Sequence, residues 1–479
     1  MAVAQGNCPN CGAPIAFDVG SSLAKVCEYC RHTVLRSDRG LENLGKVADL
    51  AHTPSLVAVG DEGTLGGRPF RVMGRVQLDH GAGPWDEYYL AFDGGQAWGW
   101  LAYAQGQWYA TSAAAGVAFP NYNELYPELD LTLGPAGFFR VAEVKSATIS
   151  STEGELPGLI RPGQQRYYAD CYGPGQGFAT LDYGDMNAPP TLFLGWVFAE
   201  PLLSVQKLGP RSTSKIKMTQ LRCPNCGGDV PSLSAERLGC PYCGAISDIA
   251  GQRVISVQEA ARQRPEIPVG SRGAFDNLPY VCIAYLRRYS LFEDERYSWE
   301  EYLLFAESLG FRWLVKDPET GWSFVVPVNL ADLDLRGFPD QVVWASRRFD
   351  LRNRNVATVE YVLGEVYWKA SVGDQSQVMD FASGKDVLSR ELSGSEVAWS
   401  YSTPVPWPLI AQAFALPVDG PGARFAGGQA PSPRVFLNVI LLVVVIALFL
   451  CATLVFDDDG GGSSVGGVYR GGGVFSGGK

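Results

Sequence analysis

Eight of the cysteines have the spacing that binds a metal ion. One cluster contains Cys8, Cys11, Cys27 and Cys30, and the other contains Cys223, Cys226, Cys240 and Cys243. In each cluster two CxxC pairs lie about 13–15 residues apart, which suits tetrahedral Zn²⁺ because each pair places two thiolates on one tight turn. Four thiolates complete the zinc coordination and leave no open position for water or substrate. The spacing therefore predicts two structural zinc ions (Zn2+), one in each of two zinc ribbons.

Four glutamates are the other candidates for chemistry. Glu87 and Glu301 lie in the segments WDEYYL and WEEYLL, and Glu155 and Glu365 lie in GEL and GEV. Paired carboxylates can act as a general acid and a general base. The sequence has no accompanying nucleophile–base set, phosphate loop or dinucleotide fingerprint. We therefore expect these acids to serve a scaffold or a binding surface, and we assign no catalytic residue.

These acids belong to an internal repeat that follows each ribbon. Val59-Gly60 and Pro69-Phe70 correspond to Val269-Gly270 and Pro279-Tyr280, and the tryptophan motifs and GE motifs follow in the same order. Repetition at this scale predicts a duplicated structural unit. The expected organisation is zinc ribbon 1 at 1–40, β domain copy 1 at 54–205, zinc ribbon 2 at 218–250, β domain copy 2 at 265–412, a linker at 413–434, a transmembrane helix at 435–456 and a Gly-rich tail at 457–479.

Within each copy the pattern is typical of short strands rich in Val, Tyr, Trp and Phe and separated by Gly or Asp. We predict strands at Pro69–Leu78, Tyr88–Phe92, Gly99–Tyr103, Trp108–Ser112 and Phe138–Glu153. In the second copy we predict them at Tyr280–Arg288, Tyr302–Ala306, Arg312–Lys316, Trp322–Pro327, Val356–Leu363, Gln377–Phe381 and Glu396–Tyr401. Short helices are predicted at Leu41–Ala51 and Val257–Gln263. The fold class is mainly β, with a barrel-like or sandwich-like domain after each ribbon.

The repeated motifs resemble a bacterial family known as domain of unknown function 4178. The resemblance rests on the CPNCG ribbon, the VGxxG turn, WEEYLLF, the GE motif and a membrane helix, and covers roughly 54–204 and 265–410. The second copy is the closer match, because the first has Pro157 where the second has Tyr367. The resemblance implies a context of membrane-stress proteins, small membrane proteins and polyamine-synthesis enzymes. It assigns no chemistry.

Residues 435–456 form one apolar run, VFLNVILLVVVIALFLCATLVF. As a helix these 22 residues would span roughly 33 Å, enough for the hydrocarbon core of a bilayer. Arg424 and Arg434 precede the run, and Asp457 to Asp459 follow it. The positive-inside bias then keeps the N-terminal domains in the cytosol. We expect a single-pass protein of the bacterial cytoplasmic membrane, with thiolate clusters on the reducing side.

The net charge of the chain limits the kinds of partner that it is expected to bind. The formal net charge of −11 at pH 7 disfavours nucleic acid, because nonspecific binding relies on Lys and Arg contacts to phosphate. The expected partners are the membrane and a protein. We expect a non-catalytic, membrane-anchored scaffold at the cytosolic face, with membrane stress response as the context that the resemblance implies. One alternative is an enzyme or regulatory subunit with a carboxylate site between the two β copies; another is zinc-ribbon nucleic-acid binding. A pocket that joins both glutamate motifs would favour the enzyme, and separate, solvated carboxylates would favour the scaffold.

Overall fold

The structure, a computed structural model, describes most of residues 4–419. Within that range the segments outside the description are 18–23, 28, 31, 38–39, 47–56, 81–83, 105–106, 116–117, 159, 188, 199–201, 207–218, 224, 228, 233–236, 241–242, 244, 249–252, 258–264, 276, 293–294, 307–308 and 367–371. The predicted transmembrane helix at 435–456 and the tail at 457–479 also lie outside it. Among the described residues, no helix has the length and apolar character needed to cross a membrane.

The first half of the chain folds as a small ribbon followed by a larger sheet. The ribbon contains β1 (Ala4–Asn7), β2 (Pro14–Phe17), β3 (Ala24–Val26), β4 (His32–Ser37) and β5 (Gly40–Lys46). The sheet contains β6 (Glu62–Leu65), β7 (Arg68–Asp79), β8 (Pro84–Phe92), β9 (Ala97–Ala104), β10 (Gln107–Ala114), β11 (Asp130–Thr132), β12 (Phe138–Leu156), β13 (Gln165–Tyr172), β14 (Gly177–Gly184), β15 (Thr191–Phe198) and β16 (Leu203–Gln206). Short 3₁₀ helices at Tyr122–Glu124 and Gly134–Ala136 flank β11.

The second half repeats this order. Its ribbon contains β17 (Thr219–Arg222), β18 (Asp229–Ser232), β19 (Arg237–Gly239), β20 (Ala245–Asp248) and β21 (Arg253–Val257). Its sheet contains β22 (Arg272–Phe275), β23 (Leu278–Phe292), β24 (Glu295–Ala306), β25 (Gly310–Asp317), β26 (Gly321–Val328), β27 (Gln341–Trp344), β28 (Arg347–Val366), β29 (Gln375–Ser383), β30 (Asp386–Ser393) and β31 (Glu396–Pro404). A 3₁₀ helix spans Leu330–Asp332, and α1 spans Trp407–Ala413.

Each sheet closes on itself as an antiparallel barrel. In the first copy β7 pairs with β8, and the ring continues through β9, β10, β15, β14, β13 and β12 back to β7. In the second copy β23, β24, β25, β26, β31, β30, β29 and β28 close in the same order. The long strands β12 and β28 make closure possible, since each pairs with one neighbour along its first part and with another along its last part. The two halves are therefore a structural duplication.

The glycine of each GE motif lies opposite a β-bulge. Gly154 and Gly364 have φ values of +73° and +84°. The registers of β7 and β23 shift at the residues facing them, so one extra residue bulges from each strand. A Cβ on Gly364 would lie 2.4 Å from the carbonyl oxygen of Ile283, and one on Gly154 would lie 2.3 Å from that of Met73. Both the backbone conformation and the close approach require glycine.

Replacing Gly364 with alanine is expected to destabilise the second barrel by about 2–4 kcal/mol, because strain at positive φ adds to a backbone clash. The measurement is the urea midpoint of the full chain in detergent. Gly373 is the matched control: its φ is +93°, but a Cβ there would meet nothing within 4 Å. Gly373→Ala should therefore lower the stability of the chain clearly less than Gly364→Ala does. Equal losses in the two variants would show that the close approach has no energetic consequence.

The two barrels share one apolar core at their boundary. The shared cluster contains Ala102, Tyr109, Ala142, Tyr172, Phe178 and Val197 from the first barrel and Leu330, Ala331, Leu333, Val342, Phe349, Phe381, Leu388, Val397 and Trp399 from the second half. Burial of such side chains is the main favourable contribution to association. The boundary between the copies is therefore a packed interface.

The strand predictions are confirmed, and the first helix prediction is wrong. Every predicted strand lies in an observed strand, although the observed strands are longer, with β28 spanning Arg347–Val366 where Val356–Leu363 was predicted. The predicted helix Leu41–Ala51 is strand β5 up to Lys46, because these residues pair with β4 and sheet pairing overrides local helix propensity. In the second predicted helix, Val257 ends β21, and 258–263 lie outside the described residues.

Candidate metal centres and buried acidic clusters

The first cysteine cluster brings four thiol groups together at one end of its ribbon. The Sγ atoms of Cys8 and Cys30 lie 3.6 Å apart, and those of Cys11 and Cys27 lie 3.7 Å apart. These separations are far longer than the ~2.05 Å of a disulfide bond. The edge of a tetrahedron with metal–sulfur distances of ~2.3 Å is about 3.8 Å, so the thiol groups fit a tetrahedral four-sulfur site.

The second cluster has the same geometry. Cys223 and Cys243 have their Sγ atoms 3.7 Å apart, and Cys226 and Cys240 have theirs 3.8 Å apart. The amide N–H of Gly227 donates to the Cys223 carbonyl at 2.8 Å, a turn that the first cluster also forms. In both clusters the ligand atoms all lie within 4.8 Å of one another, so each cluster could hold one metal ion.

Each ribbon joins its barrel at the GE motif. Strand β3 pairs with the end of β12, where Glu155 faces Lys25, and β19 pairs with the end of β28, where Glu365 faces Leu238. The Lys25 ammonium donates to the Glu155 carboxylate at 3.3 Å, and Glu155 is only 1% exposed. Glu155 therefore connects the first ribbon to its barrel. The motif pair Glu155 and Glu365 occupies equivalent backbone positions in the two copies.

The glutamate of each tryptophan motif lies inside its barrel. The Trp85 indole N–H donates to Glu87 at 3.3 Å, and the Trp299 indole N–H donates to Glu301 at 2.6 Å. Residues two apart on a strand share a face, which is why each indole reaches its own motif's acid. Both carboxyl groups are buried, with exposures of 0% for Glu87 and 1% for Glu301.

Each barrel also contains a buried arginine–carboxylate pair, but the arginine comes from different strands. In the second barrel Arg288 on β23 donates to Glu391 at 2.7 Å and to Glu301 at 3.4 Å. In the first barrel Arg166 on β13 donates to Asp182 at 3.1 Å. Burial raises the pKa of Asp182 to about 6, although Arg166 acts to lower it. Asp182 and Glu391 lie on corresponding strands, β14 and β30. The two barrels therefore pair a buried acid at the same place with an arginine from a different strand.

Polar contacts cross the boundary between the barrels. Arg390 of the second barrel donates to Glu128 of the first through Nε and Nη2, at 2.7 to 3.0 Å, and the Trp399 indole N–H donates to the same carboxylate at 2.9 Å. In return, Arg140 of the first barrel donates to the carbonyl oxygens of Leu330 and Leu333 at 3.0 and 2.8 Å. Bidentate, buried contacts of this kind fix the orientation of both partners.

A second cluster of charged side chains at this boundary consists of one lysine between two carboxylates. The Lys145 ammonium lies 2.6 Å from Glu143 on its own strand and 2.6 Å from Glu396 of the other barrel. Both carboxyl groups are buried, each 2% exposed. Burial raises the pKa of Glu143 well above its usual range, and Glu396 raises it further, while Lys145 acts to lower it. Burial would lower the pKa of Lys145, but the two carboxylates outweigh burial and raise it.

The three repeated acids whose side chains the structure describes, Glu87, Glu155 and Glu301, contact different parts of the fold. Glu87 and Glu301 contact tryptophans of separate barrels, and Glu155 contacts a ribbon lysine. They are separate, as the scaffold hypothesis expects, but they are buried, which it did not expect. The side chain of Glu365 lies outside the described residues. The acids at the copy boundary, Glu128, Glu143 and Glu396, do not belong to the repeated motifs, so the search for repeated positions missed them.

Comparison with protein families agrees with this division of the chain. A family model described as Domain of unknown function (DUF4178) matches residues 58–199 and again residues 268–407. Together the two matches cover more than half of the chain. The chain belongs to this family. Each DUF4178 domain corresponds to one barrel, from β6 to β15 and from β22 to β31, so the resemblance and the tandem arrangement predicted from the sequence are confirmed. No curated protein matches the chain, and no solved structure does.

Proposed function

We propose that this protein is a non-catalytic scaffold, in which two zinc-bound ribbons and two barrels present a rigid surface to a protein partner at the cytosolic face of a bacterial membrane. One observation carries the proposal: the motif acids Glu87, Glu155 and Glu301 each contact a neighbouring side chain of the fold. Groups held in this way stabilise a structure. Duplication then enlarges a binding surface, and the shared apolar core keeps the two barrels in a fixed arrangement.

Zinc is the metal we propose for the two clusters. Four thiolates in a tetrahedral arrangement are typical of structural zinc, and their softness disfavours magnesium and calcium. Bound there, the ion would hold the four strand ends of a ribbon that is otherwise too small to fold on a hydrophobic core. Cys8, Cys11, Cys27 and Cys30 would bind one ion, and Cys223, Cys226, Cys240 and Cys243 the other.

The membrane part of the proposal rests on the sequence of residues 435–456. The run has the length and composition of a membrane span, and the flanking charges favour a cytosolic position for the barrels. Anchoring confines the scaffold to the surface where a membrane-bound partner lies. Confinement raises the effective concentration of the partner without any new contact.

A chain that ends at residue 434 is expected to move from the membrane fraction to the soluble fraction, because it lacks the apolar run. Protease added outside intact cells should leave the barrels of the full chain uncut. In cross-linked detergent extracts, the full chain should retain a membrane-bound partner at constant stoichiometry, and the shortened chain should lose most of it. A full chain carrying another single-pass apolar segment in place of 435–456 is the matched control and should recover that partner.

Two outcomes would contradict the proposal. Recovery of the full chain in the soluble fraction would show that residues 435–456 do not anchor it to the membrane. Turnover of a metabolite by the purified chain, stopped by Glu365→Gln or Glu301→Gln without loss of the fold, would favour an enzyme with its carboxylates in catalytic roles.

A further inference from the structure

The group around Lys145 lies where the two barrels are joined by backbone contacts. The amide N–H of Val144 donates to the carbonyl oxygen of Ser395 at 3.1 Å, and the Ser395 hydroxyl donates back to the Val144 carbonyl at 2.5 Å. Glu143 on β12 and Glu396 on β31 are directly paired across the same seam. Any change in repulsion between these two carboxylates therefore acts on the hydrogen bonds that connect the barrels.

The surroundings of Glu143 contain more negative than positive charge. The ionisable groups that act on Glu143 or Lys145 are Glu396 on β31, Asp170, Tyr168 and Tyr172 on β13, Tyr122 of the first 3₁₀ helix, and His80, which follows β7 and is itself affected by Asp79. Asp170 accepts a hydrogen bond from Thr180 at 2.6 Å. Burial lowers the pKa of His80 to about 4, so its ring is neutral at neutral pH and adds no cation. Among the groups named here, Lys145 is the cation, and its ammonium contacts the carboxyl groups of both Glu143 and Glu396.

Ionising all of the carboxyl groups named here would place more negative than positive charge among side chains that are buried. An unpaired buried charge is strongly unfavourable, and a carboxyl group in this position keeps its proton instead. With Glu143 protonated, Lys145 and Glu396 form one balanced ion pair across the seam. With Glu143 ionised, two carboxylates from different barrels compete for the same ammonium.

We propose that Glu143, Lys145 and Glu396 form a proton-controlled latch, which holds this seam between the barrels closed while Glu143 is protonated and loosens it when the proton leaves. The device is independent of the partner and of the metal. The contacts of Arg390 with Glu128 and of Arg140 with the Leu330 carbonyl also join the two barrels, and they do not involve Lys145.

The direction of the pH effect follows from the closed state holding the proton more tightly than the open state. The stabilisation is complete below the usual pKa of a glutamate, about 4.5, and is lost as the pH rises through the raised pKa of Glu143. Each pH unit within this window changes the ratio of closed to open seam by about tenfold. Lys145 stays charged throughout the window, since its own pKa is raised.

Hydrogen exchange at the Val144 amide tests the latch in the full, zinc-loaded chain in detergent. After correction for intrinsic exchange, the opening of this amide should rise at least tenfold between pH 5 and pH 9. Glu396→Gln should abolish most of the rise, because it removes one competing charge and alters neither residue that sets the intrinsic rate at Val144. Lys145→Met should open the seam further at pH 9. His80 and Asp182 also titrate and could change the exchange rate, but their effect is the same in each variant when the variants are compared at one pH.

Glu360 provides the matched control, since it is a carboxylate paired with Arg287 at 3.1 Å and Arg296 at 3.0 Å on the second barrel. Glu360→Gln should leave the Val144 profile unchanged. The latch is wrong if corrected exchange in the unmodified chain is the same at pH 5 and pH 9. It is equally wrong if Glu396→Gln and Glu360→Gln give identical profiles. The measurement on the unmodified chain decides the question even if a variant does not fold.

Discussion

Removal of the metal from one cysteine cluster is expected to unfold that ribbon and to expose the edge of its barrel. Cys240→Ser removes one ligand of the second cluster, and metal analysis should then find one zinc per chain instead of two. Structural zinc contributes about 10–16 kcal/mol to the folding of zinc-finger peptides, which is more than a small ribbon can replace. Because β19 pairs with the end of β28, the amides of β28 from Gly364 to Val366 should lose their protection from hydrogen exchange.

The first ribbon should remain intact in this variant, which makes it an internal reference. Its pairing of β3 with β12, and the Lys25–Glu155 contact, involve none of the second cluster's residues. Cys282→Ala is the matched control, because Cys282 is a buried cysteine of the barrel and no part of either cluster. It should keep both zinc ions. Retention of two zinc ions by Cys240→Ser, or full protection of β28 in the metal-free chain, would contradict the structural role.

The ribbons and the strand-rich copies could be predicted because their signals are local. Coordination chemistry sets the spacing of the cysteines, so CxxC pairs such as Cys8 and Cys11 are recognisable without any knowledge of the fold. Strand segments such as Trp108–Ser112 are marked by aromatic and β-branched residues, and they lie within observed strands. The repeat order then gave the duplication, which the two family matches confirm.

The contacts that join the copies could not be predicted, because they depend on tertiary geometry. Glu143 and Lys145 lie on β12, whereas Glu396 lies on β31, far along the sequence, and no motif marks the three residues. The equivalent of Glu143 in the second barrel is Asn353, so a search for repeated residues discards this position. Helix α1 was missed for a different reason: at Trp407–Ala413 it is too short to show a helical period.

The buried ion pairs illustrate the same limit. Arg288 has Leu78 at the corresponding place of the first barrel, so alignment of the copies gives no sign that both barrels contain a buried arginine. Only the paired strands show that Arg166 supplies the missing guanidinium from β13. A buried carboxylate that stays ionised is balanced by a cation, but the strand that supplies the cation is free to vary between copies.

Replacing Arg288 with methionine is therefore expected to be among the most destabilising single changes in the second barrel. Arg288 is 5% exposed, and its removal leaves Glu301 and Glu391 buried without their cation. Breaking a buried pair by removing one partner costs about 3–5 kcal/mol, since the remaining charge stays in a poorly solvated place. The urea midpoint of the full chain in detergent measures the loss. Acidification should restore part of it, because the stranded carboxyl groups can then take up protons.

The double variant Arg288→Met with Glu391→Gln separates this charge effect from loss of packing. The glutamine keeps the shape of Glu391 and can still accept the hydrogen bond from Ser376, which is 2.6 Å long in the structure. It removes one of the two stranded charges, so the double variant should recover at least half of the loss. Arg336→Met, at an arginine exposed on the surface beside Asp334, should cause no measurable change. If the double variant is no more stable than Arg288→Met alone, the arginine stabilises the barrel by packing, and the buried charges of the two copies need not be balanced by an arginine at all.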